Sequence, residues 1–88
     1  MEDKIKEFKE ITEKMTETYI RKNHDYGDSF GESIREFGHI AGLVRISDKF
    51  NRLKSLLKPG VEAKVSDESL RDTLLDMANY CIMLSMEI

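Results

Sequence analysis

Punctuation constrains the fold of this chain more than any other feature. Gly27, Gly31, Gly38 and Gly42 fall within one short stretch, the sole proline, Pro59, is followed at once by Gly60, and the segments between them are rich in helix formers. No segment shows the alternation of apolar and polar residues that marks a half-buried strand. The expectation is an all-α fold, a small helical bundle of three long helices and one short one. The first segment, from about Asp3 to Asn23, sets Ile5, Phe8, Ile11, Met15 and Tyr19 three and four residues apart, on one helix face, with Lys and Glu on the other. "HDYGDSFGES" then reads as a polar turn leading into a short helical piece, in which Phe30, Ile34 and Phe37 share a face and which Gly38 ends. A third helix from about Ile40 to Lys58 carries Leu43, Ile46, Phe50, Leu53 and Leu57 as its core stripe, and Pro59-Gly60 stops it. "VEAKVSD" has the length of a loop between packed helices, and Ser66 or Asp67 can cap the last helix.

Eighty-eight residues and 10.2 kDa allow one domain, spanning 1–88, with too little chain to bury much surface alone. Small helical chains of this kind often complete their core by oligomerising. The balance of 14 basic against 17 acidic residues, a net charge of -3, gives no sign of a bulk electrostatic grip on nucleic acid and leaves room only for local basic patches. No apolar run approaches the ~20 residues that a membrane helix needs, and "MEDKIKEFKE" is charged from its second residue. The expectation is a soluble, cytoplasmic protein, or one in the host cytoplasm if phage-encoded. A single cysteine, Cys81, has no disulfide partner and cannot build a zinc cluster; its apolar neighbours suggest a small core residue.

The last helix raises the chemical question. At about 100° per residue, Leu70, Leu74, Met77, Cys81, Leu84 and Ile88 cluster as a core stripe, and Glu68, Asp72, Asp76 and Asn79 cluster opposite. Leu75, Ala78, Ile82, Met83 and Met86 lie on or beside that acidic face, so the helix reads as buried on both sides. A carboxylate such as Asp76, set between "TLL" and "MANYCIM", then needs a cation, an arginine or a capped backbone beside it. Carboxylates at i and i+4 followed by an amide form a row of hard oxygen ligands of the kind magnesium favours. Pairing with Arg or Lys across a helix interface fits the same spacing.

The third helix presents a complementary face. In "RISDKFNR", Arg45, Asp48, Lys49 and Arg52 sit at i, i+3, i+4 and i+7, away from Phe50 and Leu53. They read either as a salt-bridged solvated stripe or as a phosphate site, in which Asp48 joins the acidic row and Lys49 and Arg52 neutralise phosphate oxygens. In "KNHDYGDSFG", His24 and Asp25 could position a nucleotide or a water and Tyr26 could stack on a base, or the stretch is only a turn. The serines and Cys81 form no nucleophile constellation with His24 or His39.

Taken together, "KNHDYGDSF", "RISDKFNRL" and "DESLRDTLLDMANYCIM", in this order, resemble the nucleotide modification associated domain 1 family, which is common in phages and bacteria, roughly from Lys22 to Met83. More distantly, the chain is similar to the all-α nucleoside triphosphate pyrophosphatases, which include MazG-like proteins and dimeric dUTPases. The resemblance implies a homo-oligomeric four-helix-type core, a homodimer or homotetramer, with magnesium held by acidic residues of two facing helices. It implies hydrolysis of a nucleoside triphosphate to the monophosphate and pyrophosphate. On that footing Asp48, Glu68, Asp72 and Asp76 hold the metal. Asp48, Asp76 and Lys49 carry the reaction, and Lys22, Asp25, Tyr26, Arg45, Arg52 and Asn79 contact the nucleotide. The pyrophosphatase ExxD-type motif has its counterpart in Asp72 and Asp76, whereas the EExxE-type motif is met only by Asp48. A non-catalytic helical oligomerisation module, or a nucleotide-sensing accessory, is the alternative.

Overall fold

The apolar periodicity emerges as four helices in a computed structural model that describes residues 2–59 and 67–88, with the backbone alone at 67 and 68. They are α1 (Glu2–Tyr26), α2 (Ser29–Phe37), α3 (Ile40–Leu56) and α4 (Asp67–Ser85). Among the described residues there is no strand, and no helix is long and apolar enough to cross a membrane. The capping residues anticipated before α4, Ser66 and the side chain of Asp67, lie outside the described residues.

Each break has a local cause. Helix α1 runs past the expected turn and takes in His24, Asp25 and Tyr26, because nothing stops a helix there until Gly27. Gly27 adopts φ +69, a left-handed conformation that a side chain disfavours, while its N–H still bonds to the Asn23 carbonyl at 2.8 Å. Asp28 then caps α2: its Oδ1 accepts from the Gly31 N–H at 3.3 Å and its Oδ2 from Arg35 at 3.1 Å. Helix α2 ends at Gly38 (φ +88), as its sequence suggests.

Helices α3 and α4 form the central, antiparallel pair. His39 at the start of α3 meets the Glu87 carbonyl beyond the end of α4 at 3.0 Å, and Arg52 near the end of α3 meets Thr73 near the start of α4 at 3.2 Å. Gly42 makes the close approach possible, since a Cβ there would lie 2.8 Å from Leu84 of α4 and 3.2 Å from Phe30 of α2. Helix α2 covers that end of the pair, and α1 leans on α4 through its C-terminal half.

The core is thin. Among the described residues the buried apolar side chains are Met15, Ile34 and Leu53, one each from α1, α2 and α3. Several residues expected inside are not: Ile5, Phe8, Phe37, Leu43, Phe50, Leu57, Leu74 and Ile88 are all about half exposed or more, and Cys81 is exposed as well. On α4 the side that meets α3 is polar along Thr73, Asp76 and Tyr80 and apolar at Leu84, which packs on Gly42, whereas Leu74 and Cys81 of the expected stripe are exposed.

Candidate functional site

A cleft of about 930 Å³ lies between the C-terminal half of α1, helix α2 and one flank of the α3–α4 pair. Three structural causes hold it open. The left-handed turn at Gly27 swings α2 away from α1, Gly42 lets α2 and α4 close on α3, and α1 supplies the far wall with Thr18, Tyr19, Lys22 and Tyr26. Arg45 and Asp48 enter from α3, and Asp76, Asn79 and Tyr80 from α4. A smaller recess adjoins it, lined by Arg45, Asp48, Lys49, Arg52 and Tyr80.

Charge in this region is paired but unbalanced. Lys49 Nζ lies 3.2 Å from Asp76 Oδ2, with both side chains only about a third exposed, so Asp76 has the cationic partner that its apolar flanks demand. Arg52 donates from Nε to Thr73 Oγ1 at 3.2 Å, and that hydroxyl donates in turn to the Ser69 carbonyl at 2.8 Å. Thr73 is buried, at 4 % exposure. The recess therefore gathers three cations, Arg45, Lys49 and Arg52, around Asp48 with Asp76 beside them, a local excess of positive charge in a chain whose net charge is -3. Such a surface attracts anions.

The cleft also has an aromatic lining, which reaches the recess at Tyr80. Phe30 and Tyr80 stack with ring centroids 5.6 Å apart at 21°, and Tyr26 and Tyr19 line the cleft from α1. A flat, amphipathic group of a bound molecule can lie against such rings while its charged end reaches the cations.

Of the residues singled out from the sequence, Lys22, Tyr26, Arg45, Asp48, Asp76 and Asn79 line the cleft, and Lys49 and Arg52 line the recess beside it. Asp25 does not line the cleft; its carboxylate pairs with its neighbour His24 at 3.2 Å, in solvent. Asp72 is exposed and lines neither space, and the Glu68 side chain lies outside the described residues. Among the described residues no three His, Cys, Asp or Glu side chains converge on a metal-binding point; the carboxylates that share the cleft at the α3–α4 end are Asp48 and Asp76. Phe30, Tyr80 and Thr73 are the site residues that the sequence reading passed over. For Thr73 and Tyr80 the signal is a second row on α4, Ser69, Thr73, Asp76 and Tyr80, spaced i, i+4, i+7 and i+11; for the pairing of Tyr80 with Phe30 of α2 the sequence carries none.

The family model described as nucleotide modification associated domain 1 matches residues 22–88. No curated protein and no solved structure matches the chain. The matched span begins at Lys22, the first cation of the cleft wall, and takes in α2, α3 and α4.

Proposed function

Because the chain belongs to the nucleotide modification associated domain 1 family, we propose that it binds a nucleotide with magnesium in this cleft and hydrolyses nucleoside triphosphates to the monophosphate and pyrophosphate. The observation that carries the reading is the union, in one cleft, of an aromatic wall and a cationic recess, the two surfaces a nucleotide needs for its base and its phosphates.

On this reading the base lies against Tyr26 and the Phe30–Tyr80 pair, and Lys22 meets the sugar–phosphate from the α1 side. Arg45, Lys49 and Arg52 bind the phosphate tail, with Arg52 held in place by Thr73. Asp48 and Asp76 would hold the metal, with the Asn79 amide as a further oxygen donor beside them. Two carboxylates are too few for an all-protein cage but suit magnesium, which is commonly bound through one or two carboxylates plus substrate phosphates and water. When bound there it polarises phosphate oxygens and acidifies a bound water. In the reaction, water adds to the α-phosphorus and the α–β phosphoanhydride bond breaks, and the cations of α3 offset the negative charge that passes to the departing pyrophosphate.

Binding without turnover is the second reading, and one observation favours it: Lys49 already engages an Asp76 oxygen at 3.2 Å. Pyrophosphate release from a panel of unmodified and modified deoxynucleoside triphosphates, with magnesium or with chelator, separates the two. Metal-dependent release is expected, and Asp76→Asn is expected to abolish it while costing no more than about 1 kcal/mol of stability, the usual worth of a partly exposed ion pair. Nucleotide- and magnesium-dependent thermal stabilisation without release would leave the binder, and neither effect would sink both readings.

A further inference from the structure

We propose that Lys49 is a latch on Asp76 which the phosphates of a nucleotide open, so that the site admits magnesium together with a nucleotide and not ahead of it. The inference rests on the nucleotide reading above and adds an order of assembly to it. Its starting point is a conflict of roles at one carboxylate. Asp76 Oδ2 lies 3.2 Å from Lys49 Nζ, and the side chains are 36 % and 28 % exposed, so the α3–α4 packing shields the contact without closing it to solvent. The same carboxylate lines the cleft with Asp48 and Asn79, the oxygen donors that would face a metal there. An ammonium and a dication on one carboxylate repel each other at short range, and half-shielded surroundings screen them less than water does.

Lys49 also has somewhere else to go. Its side chain lines the recess with Arg45 and Arg52, so an anion held by those two guanidinium groups lies within reach of the same ammonium. Lysine carries its charge at the end of a flexible four-carbon stem with three rotatable donors, which suits a group that changes partners. Arg52 is the contrast, since its Nε is held by Thr73 and that hydroxyl is held in turn by the Ser69 carbonyl. Arg52 is a fixed anchor, and Lys49 is the movable one.

Charge sets the order. Among the described residues of the recess and its Asp76 edge, Arg45, Lys49 and Arg52 face Asp48 and Asp76, which leaves positive charge in excess. Lys49 pushed off Asp76 by a lone dication would have no anion to receive it, on a surface already positive. A triphosphate tail reverses the sign of the site and offers Lys49 phosphate oxygens in place of Asp76. Asp76 is then released towards the cleft. Lys49 returns to it when the pyrophosphate leaves, which closes the site to metal again. By linkage, the factor by which the nucleotide improves metal affinity is the factor by which the metal improves nucleotide affinity.

The test reads metal binding without turnover. Manganese, a paramagnetic substitute for magnesium, is titrated into the full chain without nucleotide, and the unbound ion is measured by electron paramagnetic resonance. The native chain should bind it about tenfold or more weakly than Lys49→Gln, within the usual range of coupling between two sites. Adding Asp76→Asn to Lys49→Gln should remove the gain, and Lys49→Arg, which keeps a cation on Asp76, should bind as weakly as the native chain. Equal binding by the native and Lys49→Gln chains, or none by either, overturns the proposal, as does a gain that survives Asp76→Asn. If Lys49→Gln loses its helical circular dichroism, Lys49→Met, which keeps the alkyl stem, is read in the same way. With neither variant, a native chain that binds manganese as tightly alone as with nucleotide present still overturns the latch. The underlying reading is checked separately, by titrating the native chain with uncleavable α,β-imido deoxynucleoside triphosphates in magnesium and in chelator. Binding of an analogue beside equal manganese affinities rejects the latch alone; no binding of any analogue rejects the nucleotide reading and the latch with it.

Discussion

Thr73 shows how much of the site depends on one hydroxyl. Its Oγ1 donates to the Ser69 carbonyl and accepts from Arg52 Nε, so it satisfies itself and fixes the guanidinium on the edge of the cationic recess. A threonine in mid-helix commonly bonds back to the carbonyl four residues earlier, which gives no hint of a second role. Replacing it with valine keeps the shape and removes the acceptor, leaving the Nε–H of the exposed Arg52 to turn to water. Thr73→Val should therefore lower stability by about 1 kcal/mol in chemical denaturation. In nucleotide titrations it should weaken triphosphates several-fold more than monophosphates, whereas Thr73→Ser should restore both. Equal weakening of the two nucleotides would mean that Thr73 only packs.

At the scale of the element, Gly27 decides where α1 ends and so where the cleft opens. Its φ of +69 sits in a region that costs an ordinary side chain about 1–2 kcal/mol, while no atom lies near enough to obstruct a Cβ. Gly27→Ala should accordingly destabilise the fold by about 1 kcal/mol or somewhat more, with the denaturant slope unchanged, and Gly27→Asn should cost less because asparagine tolerates that region. An alanine variant as stable as the native chain would show that the α1–α2 turn is made some other way. The helices themselves were legible in the sequence, because spacing of three and four between breakers fixes a helix wherever it packs. The ends and faces were less so. His24, Asp25 and Tyr26 look like turn residues by type, yet the chain stays helical until a residue with a reason to leave. On α4, periodicity identifies two rows, Leu70, Leu74, Met77 and Cys81 and the polar Ser69, Thr73, Asp76 and Tyr80, and cannot say which one α3 takes. Lys49 and Arg52 settle that by supplying partners to Asp76 and Thr73. The cation that Asp76 required was thus legible as a need, and its identity came only with the packing. Phe30 and Tyr80 stayed hidden because they come from helices 50 residues apart in the chain.

For the whole molecule, the core is thin and Leu43, Phe50, Leu57, Leu74 and Cys81 make an apolar seam beside the α3–α4 contact that stays about half exposed or more; the homo-oligomer expected from the sequence would cover such a seam and make folding and association one equilibrium. A monomer that folds alone unfolds at a temperature independent of its concentration; a dimer that unfolds to two chains does not, since dilution favours the side with more particles. The enthalpy of unfolding near the midpoint is about 0.7 kcal/mol per residue, which for two chains of 88 residues gives about 120 kcal/mol per dimer. With that enthalpy a tenfold rise in concentration should raise Tm by about 4 °C. Differential scanning calorimetry over two decades of concentration measures the slope directly. The native chain should show it, and the Phe50→Glu chain should melt lower with a slope near zero. The seam residues do not line the cleft, so a saturating nucleotide should lift the whole line without changing its steepness appreciably. A native Tm that ignores concentration would mean that Met15, Ile34 and Leu53 hold the chain together unaided, and that the apolar seam of α3 and α4 is open to solvent in the working protein.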